Sequence, residues 1–251
     1  MSSHRCANVS VVIPALNEEQ TVAGVVAAVA ADEPGEILVI DADSTDATAK
    51  VAGQAGATVL NWREILPQIP PHPGKGESLW RGLAAATHEL VVFVDADLFS
   101  PSPGMVSALS EPFHDSCTQL VKAQYRRTFQ GKPEGGGRVT ELCAKPILKT
   151  CFPELAAIPQ PLAGEYALRR ETALHLPFVS GYGVEAGLLV DIYRRFGLRA
   201  IQSVDIGTRA HRNRPLADLA PMADIVAATL LARDTVSQRP PLVEVLGKQT
   251  C

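Results

Sequence analysis

The stretch "ELVVFVDADLFSP", which runs from Glu89 to Pro101, indicates the fold class because a continuous apolar run ends at two aspartates. A run of this kind is typical of a strand that is buried on both faces of a parallel sheet. The stretch "EILVIDADSTDAT", from Glu36 to Thr48, has the same form. Two such strands predict a sheet that gathers carboxylates along one edge.

Strand and helix patterns alternate through the first half of the chain. Strands are predicted at 9–14, 36–41, 57–61 and 90–97, and helices at 18–32, 44–56 and 74–88. This alternation predicts an α/β fold with a Rossmann-like, mostly parallel sheet and helices on both faces. Ligands of such sheets bind beyond the carboxyl ends of the strands, and "PALNEE", "DADSTD" and "DADLFS" all fall there.

The second half is less regular, and no linker marks a second domain. Strands are predicted at 119–127 and 200–207, and helices at 181–197 and 216–233. We therefore expect one domain over residues 1–233, followed by a loose C-terminal tail over residues 234–251 that contains "RPPLVE".

Composition limits the classes of function. The chain has 251 residues and a formal net charge of -4, which argues against a general nucleic-acid or anionic-membrane surface. Its five cysteines are scattered and include no C-x-x-C, so they indicate neither a disulfide framework nor a zinc site. No stretch reaches the ~18 apolar residues of a membrane span. We predict a cytoplasmic protein that binds neither nucleic acid nor membrane.

Carboxylates at the strand ends have more than one interpretation. Asp95 and Asp97 are two hard oxygen ligands at a strand end, which suit Mg²⁺ or Mn²⁺ bound to a phosphorylated ligand. Asp46 precedes a predicted helix, so it is either a helix cap or a ligand contact.

The stretch "ILVIDADST" also fits D-x-D-x-T, the pattern of haloacid-dehalogenase-type phosphohydrolases, with Asp41 as nucleophile and Asp43 as general acid. That family usually carries the motif on its first strand, whereas a strand and a helix precede it here. A phosphohydrolase stays open as an alternative. The chain has no G-x-G-x-x-G after a strand, and "HPGKGES" is not a P-loop, so a dinucleotide enzyme and a P-loop NTPase are disfavoured.

Several motifs resemble those of GT-A glycosyltransferases. "VSVVIPALNEEQTV" resembles their first nucleotide loop, "IDADSTDAT" the second, and "VVFVDADL" their metal-binding D-x-D. The stretches "PGKGESLWRGLAA", "GGGRVTEL", "QPLAGEYALRR", "PFVSGYGVEAGLLVD" and "HRNRPL" resemble more specifically the retaining glucosyl-3-phosphoglycerate synthases. The resemblance covers about residues 9 to 233. It implies a GT-A fold with a nucleotide-binding half at 9–98 and an acceptor-binding half at 119–233.

The resemblance also implies a donor site. Lys75 would reach the nucleotide, and a glycine on each side of it would let the backbone approach a ligand. Ala42 stands where the family often has a serine that contacts the nucleotide. The other implied residues of the nucleotide-sugar site are Pro14, Ala15, Leu16, Asn17, Glu18, Asp95, Ala96 and Gly164. The implied metal ligands are Asp95, Asp97 and His211, of which Asp97 is the more direct.

The acceptor site has a chemical argument beside the resemblance. The stretch "EGGGRVTEL" places backbone N–H groups and an arginine at the start of a helix, which is an anion site by the physics of helix N-termini and glycine nests. The implied acceptor residues are Gly136, Gly137, Arg138, Val139, Thr140, Asn213 and Arg214.

For catalysis, the resemblance implies that Glu185 and Tyr182 hold the sugar and the acceptor hydroxyl, while Leu162 and Gly164 approach the sugar through their backbone. A carboxylate at this place suggests a covalent nucleophile. We favour a reaction on one face of the sugar, in which the departing diphosphate takes the proton of the acceptor hydroxyl.

The implied activity is transfer of glucose from UDP-glucose to the 2-hydroxyl of 3-phosphoglycerate. The implied cofactor is Mg²⁺ or Mn²⁺, and the implied assembly is a homodimer. The alternative is a mannosyl-3-phosphoglycerate synthase that uses GDP-mannose.

Overall fold

The computed structural model describes residues 6–99, 101–129, 132–134, 137–210, 216–231 and 238–247. The strands are β1 (Val9–Ala15), β2 (Glu36–Asp41), β3 (Thr58–Asn61), β4 (Leu90–Phe93), β5 (Leu120–Phe129), β6 (Lys132–Glu134), β7 (Tyr166–Arg169), β8 (Phe178–Val179), β9 (Ile201–Ala210) and β10 (Gln238–Arg239). The helices are α1 (Val22–Ala30), α2 (Thr48–Gln54), α3 (Lys75–Ala85), α4 (Met105–Ser110), α5 (Lys145–Cys151), α6 (Arg170–Leu174), α7 (Val184–Phe196), α8 (Leu216–Leu231) and α9 (Leu242–Leu246).

One mixed sheet organises the described residues. Its strands run in the order β3-β2-β1-β4-β7-β5-β6, with β9 beside β5. β1, β2, β3 and β4 are parallel to one another, and β9 is parallel to β5. The predicted mostly parallel α/β sheet is thus confirmed.

β6 and β7 are the exceptions. β7 runs antiparallel to both of its neighbours, β4 and β5, and β6 runs antiparallel to β5. An antiparallel strand begins at the edge where parallel strands end. The residues just before β7 therefore lie at the carboxyl edge of the sheet.

The apolar strands are buried on both faces, as the absence of polar alternation predicts. Val91 and Phe93 belong to one core cluster, with α3 and α7, while Val92 and Val94 belong to the other, with α1 and α4. Each strand thus fixes which side of the sheet its last residues face.

The C-terminal segment packs on the body of the protein. β10 pairs antiparallel with β8, and Leu242 of α9 is fully buried. Arg239 binds the buried carboxylate of Glu77 through its Nε at 2.7 Å and its Nη2 at 2.9 Å. The loose tail expected from the sequence is therefore wrong for residues 238–247, because Arg239 and Leu242 find partners far away in the chain.

None of the helices in the described ranges combines the length and the apolar content that crossing a bilayer requires.

Candidate active site

Two loops at the carboxyl edge, after β1 and after β2, are bonded to each other. The backbone N–H of Asn17 donates to Ser44 Oγ at 3.0 Å, and Asn17 Oδ1 accepts from the N–H of Thr45 at 2.8 Å. The N–H of Glu18 donates to Thr48 Oγ1 at 2.7 Å. Asn17 has a φ of 56°, a left-handed conformation that asparagine tolerates, and this turns the first loop toward the second. The structure thus places the predicted first nucleotide loop against the second.

The first loop also presents exposed groups. Leu16 and Asn17 are exposed and Glu18 is partly exposed, whereas Ala15 is buried and Pro14 is half-buried. Ala42, in the second loop, donates its N–H to the carbonyl of Ala15 at 2.9 Å. The two loops therefore meet through backbone as well as side chains.

Asp46 has a structural role that joins both loops. Its Oδ1 accepts from the N–H of Thr48 at 2.9 Å, at the start of α2, and its Oδ2 accepts from the N–H of Glu19 at 3.2 Å. Desolvation raises the pKa of Asp46, but hydrogen bonds from the Thr48 hydroxyl and from the N–H groups of Thr48 and Glu19 outweigh it, so the pKa is lowered. The N-cap position of α2 is Ala47, so Asp46 lies one residue before the cap and joins the start of α2 to the first loop.

Asp43, the second aspartate of the D-x-D-x-T pattern, is held by Arg63 and Asn61. Arg63 approaches Asp43 Oδ2 through Nε at 2.7 Å and Nη2 at 2.6 Å, and Asn61 Nδ2 donates to Oδ1 at 3.1 Å. The Arg63 hydrogen bond is the main cause that lowers the pKa of Asp43 to about 2. A carboxyl that loses its proton so easily does not suit a general acid, which argues against the phosphohydrolase.

Lys75 joins two of the predicted site carboxylates. Its Nζ lies 2.5 Å from Asp95 Oδ1 and 2.6 Å from Glu185 Oε1. Lys75 is the first residue of α3, Asp95 follows β4, and Glu185 lies in the first turn of α7. Three separate elements thus meet at one ammonium group.

Burial by itself lowers the pKa of Lys75, but the carboxylates of Asp95 and Glu185 outweigh it and hold that pKa well above its usual range. The lysine therefore stays charged. Its charge compensates the two carboxylates, and Glu185 is almost fully buried.

The glycines beside Lys75 allow a close contact between the start of α3 and the segment after β8. A Cβ atom at Gly76 would come within van der Waals overlap of the Val179 carbonyl oxygen, and one at Gly74 would lie 2.5 Å from that of Ser180. Gly74 also has a φ of 126°, which favours glycine. This close approach to the end of β8 fixes the start of α3 next to the segment that leads to Glu185, and an approach of the same backbone to a ligand stays a prediction.

Gly164 lies against the carboxylate of Asp95. A Cβ atom at Gly164 would be 2.0 Å from Asp95 Oδ2. The register explains this closeness. Phe93 of β4 pairs with Tyr166 of β7 in antiparallel orientation, so Asp95, two residues after Phe93, comes opposite Gly164, two residues before Tyr166. The structure therefore brings the predicted residues Gly164 and Asp95 together, with Leu162 two residues before Gly164 and half-buried.

Ala96 faces the opposite side of the sheet from Asp95. It is buried in the core cluster of Val94 and Leu98, on the side of α1 and α4. Its methyl group therefore points into the core, so a contact of Ala96 with a nucleotide would have to come from its backbone.

Asp95 and Asp97 are the predicted metal ligands that lie in the described ranges. Both are partly exposed at the end of β4, and their hard oxygen atoms suit Mg²⁺ or Mn²⁺. No group of three or more histidine, cysteine or acidic side chains with metal-binding geometry occurs within the described ranges. The two carboxylates fit a cation that completes its shell with a further ligand, water or a phosphate.

The segment before α7 carries Tyr182, whose side chain is 43% exposed. Glu185, three residues later, is 5% exposed and is bonded to Lys75. Of the two predicted catalytic side chains, Tyr182 therefore faces solvent, and Glu185 belongs to a charged cluster that it forms with Lys75 and Asp95.

The predicted acceptor segment begins a helix, as the sequence indicates. Gly137 accepts from the N–H of Glu141 at 2.9 Å, and a π-helical turn spans Thr140–Ala144 before α5. Pro146 has no N–H to donate, which agrees with a wider turn at this point. Val139 and Thr140 are buried, while Gly137 and Arg138 are half-buried, so the last two are the more accessible to an acceptor.

Four predicted site residues lie outside the described ranges, and their positions stay predictions. They are Gly136, His211, Asn213 and Arg214.

Lys122 and Tyr166 were missed in the sequence analysis. Lys122 is 1% exposed in β5, and its Nζ donates to the carbonyl of Ala163 at 2.7 Å. Tyr166 is 1% exposed, and its hydroxyl has no hydrogen-bond partner within the described part of the chain. A lysine inside the apolar run "QLVKAQY" is a detectable signal, since lysine is almost never fully buried unless paired.

Comparison with known proteins gives a family and a set of relatives. The family model described as "Glycosyl transferase family 2" matches residues 10–178. A glucosyl-3-phosphoglycerate synthase of Mycolicibacterium smegmatis is 50% identical over 238 residues, which cover 91% of this chain and 78% of that relative. One of Petrotoga mobilis is 41% identical over 239 residues, which cover 90% of this chain and 73% of that relative.

Solved structures agree with these relatives. The crystal structure of glucosyl-3-phosphoglycerate synthase from Mycobacterium tuberculosis with Mn²⁺, UDP-glucose and phosphoglyceric acid matches with a TM-score of 0.87 and 44% identity, covering 95% of this chain and 91% of that chain. The structure of the same enzyme with Mn²⁺, UDP and glucosyl-3-phosphoglycerate matches with a TM-score of 0.87 and 43% identity, covering 95% and 91%.

Proposed function

The chain belongs to glycosyl transferase family 2 and, within it, to the glucosyl-3-phosphoglycerate synthases, and from this membership we infer that it transfers glucose from UDP-glucose to 3-phosphoglycerate. The reaction uses a divalent cation, Mg²⁺ or Mn²⁺. The residue roles that follow are our proposal for how this chain performs the transfer.

The observation that carries the proposed roles is the junction of Lys75, Asp95 and Glu185 at the carboxyl edge of the sheet. This is the edge at which ligands of α/β sheets bind. The loops of Asn17 and Ser44 lie at the same edge, so the uridine would bind there and the glucose would extend toward the junction.

Asp97 would hold the cation, with Asp95 beside it and His211 as a third ligand. When bound, the cation stabilises the negative charge that develops on the departing diphosphate.

We propose that the transfer proceeds with retention and on one face of the sugar. The bond between glucose C1 and the diphosphate oxygen breaks, the bond between C1 and the 2-hydroxyl oxygen of the acceptor forms, and the hydroxyl proton passes to the departing UDP. Glu185 is a poor candidate for a covalent nucleophile, because its Oε1 is bonded to the charged Lys75 at 2.6 Å. Its role would be to position Lys75 and the sugar.

The acceptor is an anion, which fits the helix that begins near Arg138. Gly137 and Arg138 are half-buried at this helix start, where backbone N–H groups favour a phosphate or a carboxylate. Together with Gly136, Thr140, Asn213 and Arg214, they would hold 3-phosphoglycerate. The homodimer and the cytoplasmic location stay predictions.

One assay tests the proposal. The purified protein is incubated with UDP-glucose, 3-phosphoglycerate and Mg²⁺, and both UDP release and the anomeric configuration of the product are followed. We expect an α-linked product, no turnover with EDTA, and preference for UDP-glucose over GDP-mannose. An inverted product would refute the same-face mechanism, and release of phosphate without acceptor would refute the transferase.

A further inference from the structure

Lys122 is a buried cation that interacts electrostatically with Lys75, Asp95 and Glu185. Antiparallel pairing places Lys122 of β5 opposite Tyr166 of β7, which in turn lies opposite Phe93 of β4. Its Nζ lies 4.5 Å from the centre of the Tyr166 ring and 2.7 Å from the Ala163 carbonyl oxygen. Burying an ammonium group is costly, so an apolar side chain would serve the fold better.

The bond to Ala163 acts on the backbone that contacts Asp95. The Ala163 carbonyl belongs to the peptide unit that joins Ala163 to Gly164, and Gly164 packs against the Asp95 carboxylate. A single donor therefore orients the peptide that enters Gly164, one residue after Leu162 of the predicted sugar site.

The charges that act on Lys122 come from four other segments. They are those of Glu165 just before β7, Asp95 just after β4, Lys75 in α3 and Glu185 in α7, while the ring of Tyr166 packs directly against its ammonium group. Burial is the main cause that lowers the pKa of Lys122 to about 8, with Lys75 adding to it and the carboxylates opposing it. At neutral pH the group remains mostly protonated, so it contributes positive charge next to Asp95 and Glu185.

We propose that Lys122 is a positioning residue for glucosyl transfer, which holds the Leu162–Gly164 backbone against Asp95 and balances the carboxylates of the charged cluster. This inference depends on the proposed function, because it assigns the Leu162–Gly164 backbone to the sugar. Lys122 itself touches neither substrate, since it is fully enclosed by β7 and its neighbours.

The test compares Lys122→Met, which has a similar length and no charge, with Lys122→Arg and with the control Lys50→Met on the exposed face of α2. For each protein, thermal melting, the Kd of UDP with Mg²⁺, and kcat and KM for both substrates are measured. We expect kcat of Lys122→Met to fall about 100-fold, with Kd for UDP and both KM values within about threefold of wild type. Lys122→Arg should recover part of kcat, and Lys50→Met should match wild type.

A folded Lys122→Met protein with kcat within about threefold of wild type overturns the inference, even if its melting temperature falls. If Lys122→Met does not fold, Lys122→Gln replaces it, since glutamine is neutral and too short to reproduce the bond to Ala163. The same kcat criterion then applies. A wild-type protein that does not transfer glucose would refute the proposed function instead, so the two failures can be told apart.

Discussion

Replacing Gly164 with alanine would place a Cβ atom against the carboxylate of Asp95. The new atom would lie 2.0 Å from Oδ2, 2.5 Å from Cγ and 2.7 Å from Oδ1. Because real contacts of a Cβ atom stay above 3.0 Å, the two groups must separate by about 1 Å. Either the backbone at Gly164 or the carboxylate of Asp95 must move, and both belong to the proposed site.

Neither side of this contact can move easily. Asp95 is bonded to Lys75 at 2.5 Å, and the peptide that carries Gly164 is held by Lys122 through the Ala163 carbonyl at 2.7 Å. A shift of about 1 Å in a positioning group can lower a rate about 100-fold, which corresponds to about 2.7 kcal/mol of transition-state stabilisation. Overpacking also lowers the free energy of unfolding by about 1–3 kcal/mol.

The measurement is kcat for UDP release with saturating UDP-glucose, 3-phosphoglycerate and Mg²⁺, together with the melting temperature. We expect kcat of Gly164→Ala to fall about 100-fold. Each kcal/mol of lost stability should lower the melting temperature by about 2–4 °C in a chain of this size. The Kd of UDP without metal should change far less than kcat, because the two loops proposed to bind uridine follow other strands, β1 and β2.

Gly24→Ala is the matched control, because Gly24 lies in α1 and a Cβ atom there would meet nothing within 4 Å. This change should leave kcat unaltered and raise the free energy of unfolding by about 0.5–1 kcal/mol. A Gly164→Ala protein with wild-type kcat would refute the claim that the Gly164–Asp95 contact positions the site. A fall of the same size in Gly24→Ala would show that the assay does not report on the contact.

Three other substitutions probe the cation, the acceptor and the C-terminal segment. Asp97→Ala should lower kcat by at least about 100-fold with an unchanged melting temperature, and wild-type turnover across a Mg²⁺ titration would remove Asp97 from the metal site. Arg138→Ala should chiefly raise the KM for 3-phosphoglycerate, so an unchanged KM in steady-state kinetics would exclude Arg138 from the acceptor site. Arg239→Met leaves the buried Glu77 with fewer donors and should lower the free energy of unfolding by about 1–3 kcal/mol in urea titrations. Arg199→Met, at an exposed arginine, is the control. Equal urea midpoints for the two variants would contradict a stabilising role of Arg239.

The sequence allows prediction of features that depend on local pattern. The apolar runs predict β1, β2, β3 and β4 to within a few residues at most ends, and the aspartates after them predict the edge at which the site forms. The motif around Lys75 likewise indicates a site residue, although its two glycines serve to approach β8. These features follow from short stretches whose burial and polarity can be read along the chain.

Features that depend on strand pairing could not be predicted in the same way. Nothing in the residues before Tyr166 shows that β7 inserts antiparallel between β4 and β5, yet this insertion brings Gly164 to Asp95. The same holds for Arg239, whose partner Glu77 is 162 residues away. The two prolines after Arg239 favour a loose tail, and the pairing of β10 with β8, the Arg239–Glu77 bonds and the burial of Leu242 override that preference.

Register is the property that converts these separate motifs into one site. Phe93, Tyr166 and Lys122 lie side by side across three strands, and each neighbouring residue in the pleat faces the other side of the sheet. A slip of one residue between β4 and β7 would pair Asp95 with a residue other than Gly164 and leave no room for its carboxylate. The buried apolar residues on both faces oppose such a slip. The long apolar run before Asp95 therefore does more than fill the core, because it holds the carboxylate in the one register in which Lys75, Gly164 and the backbone held by Lys122 can meet it.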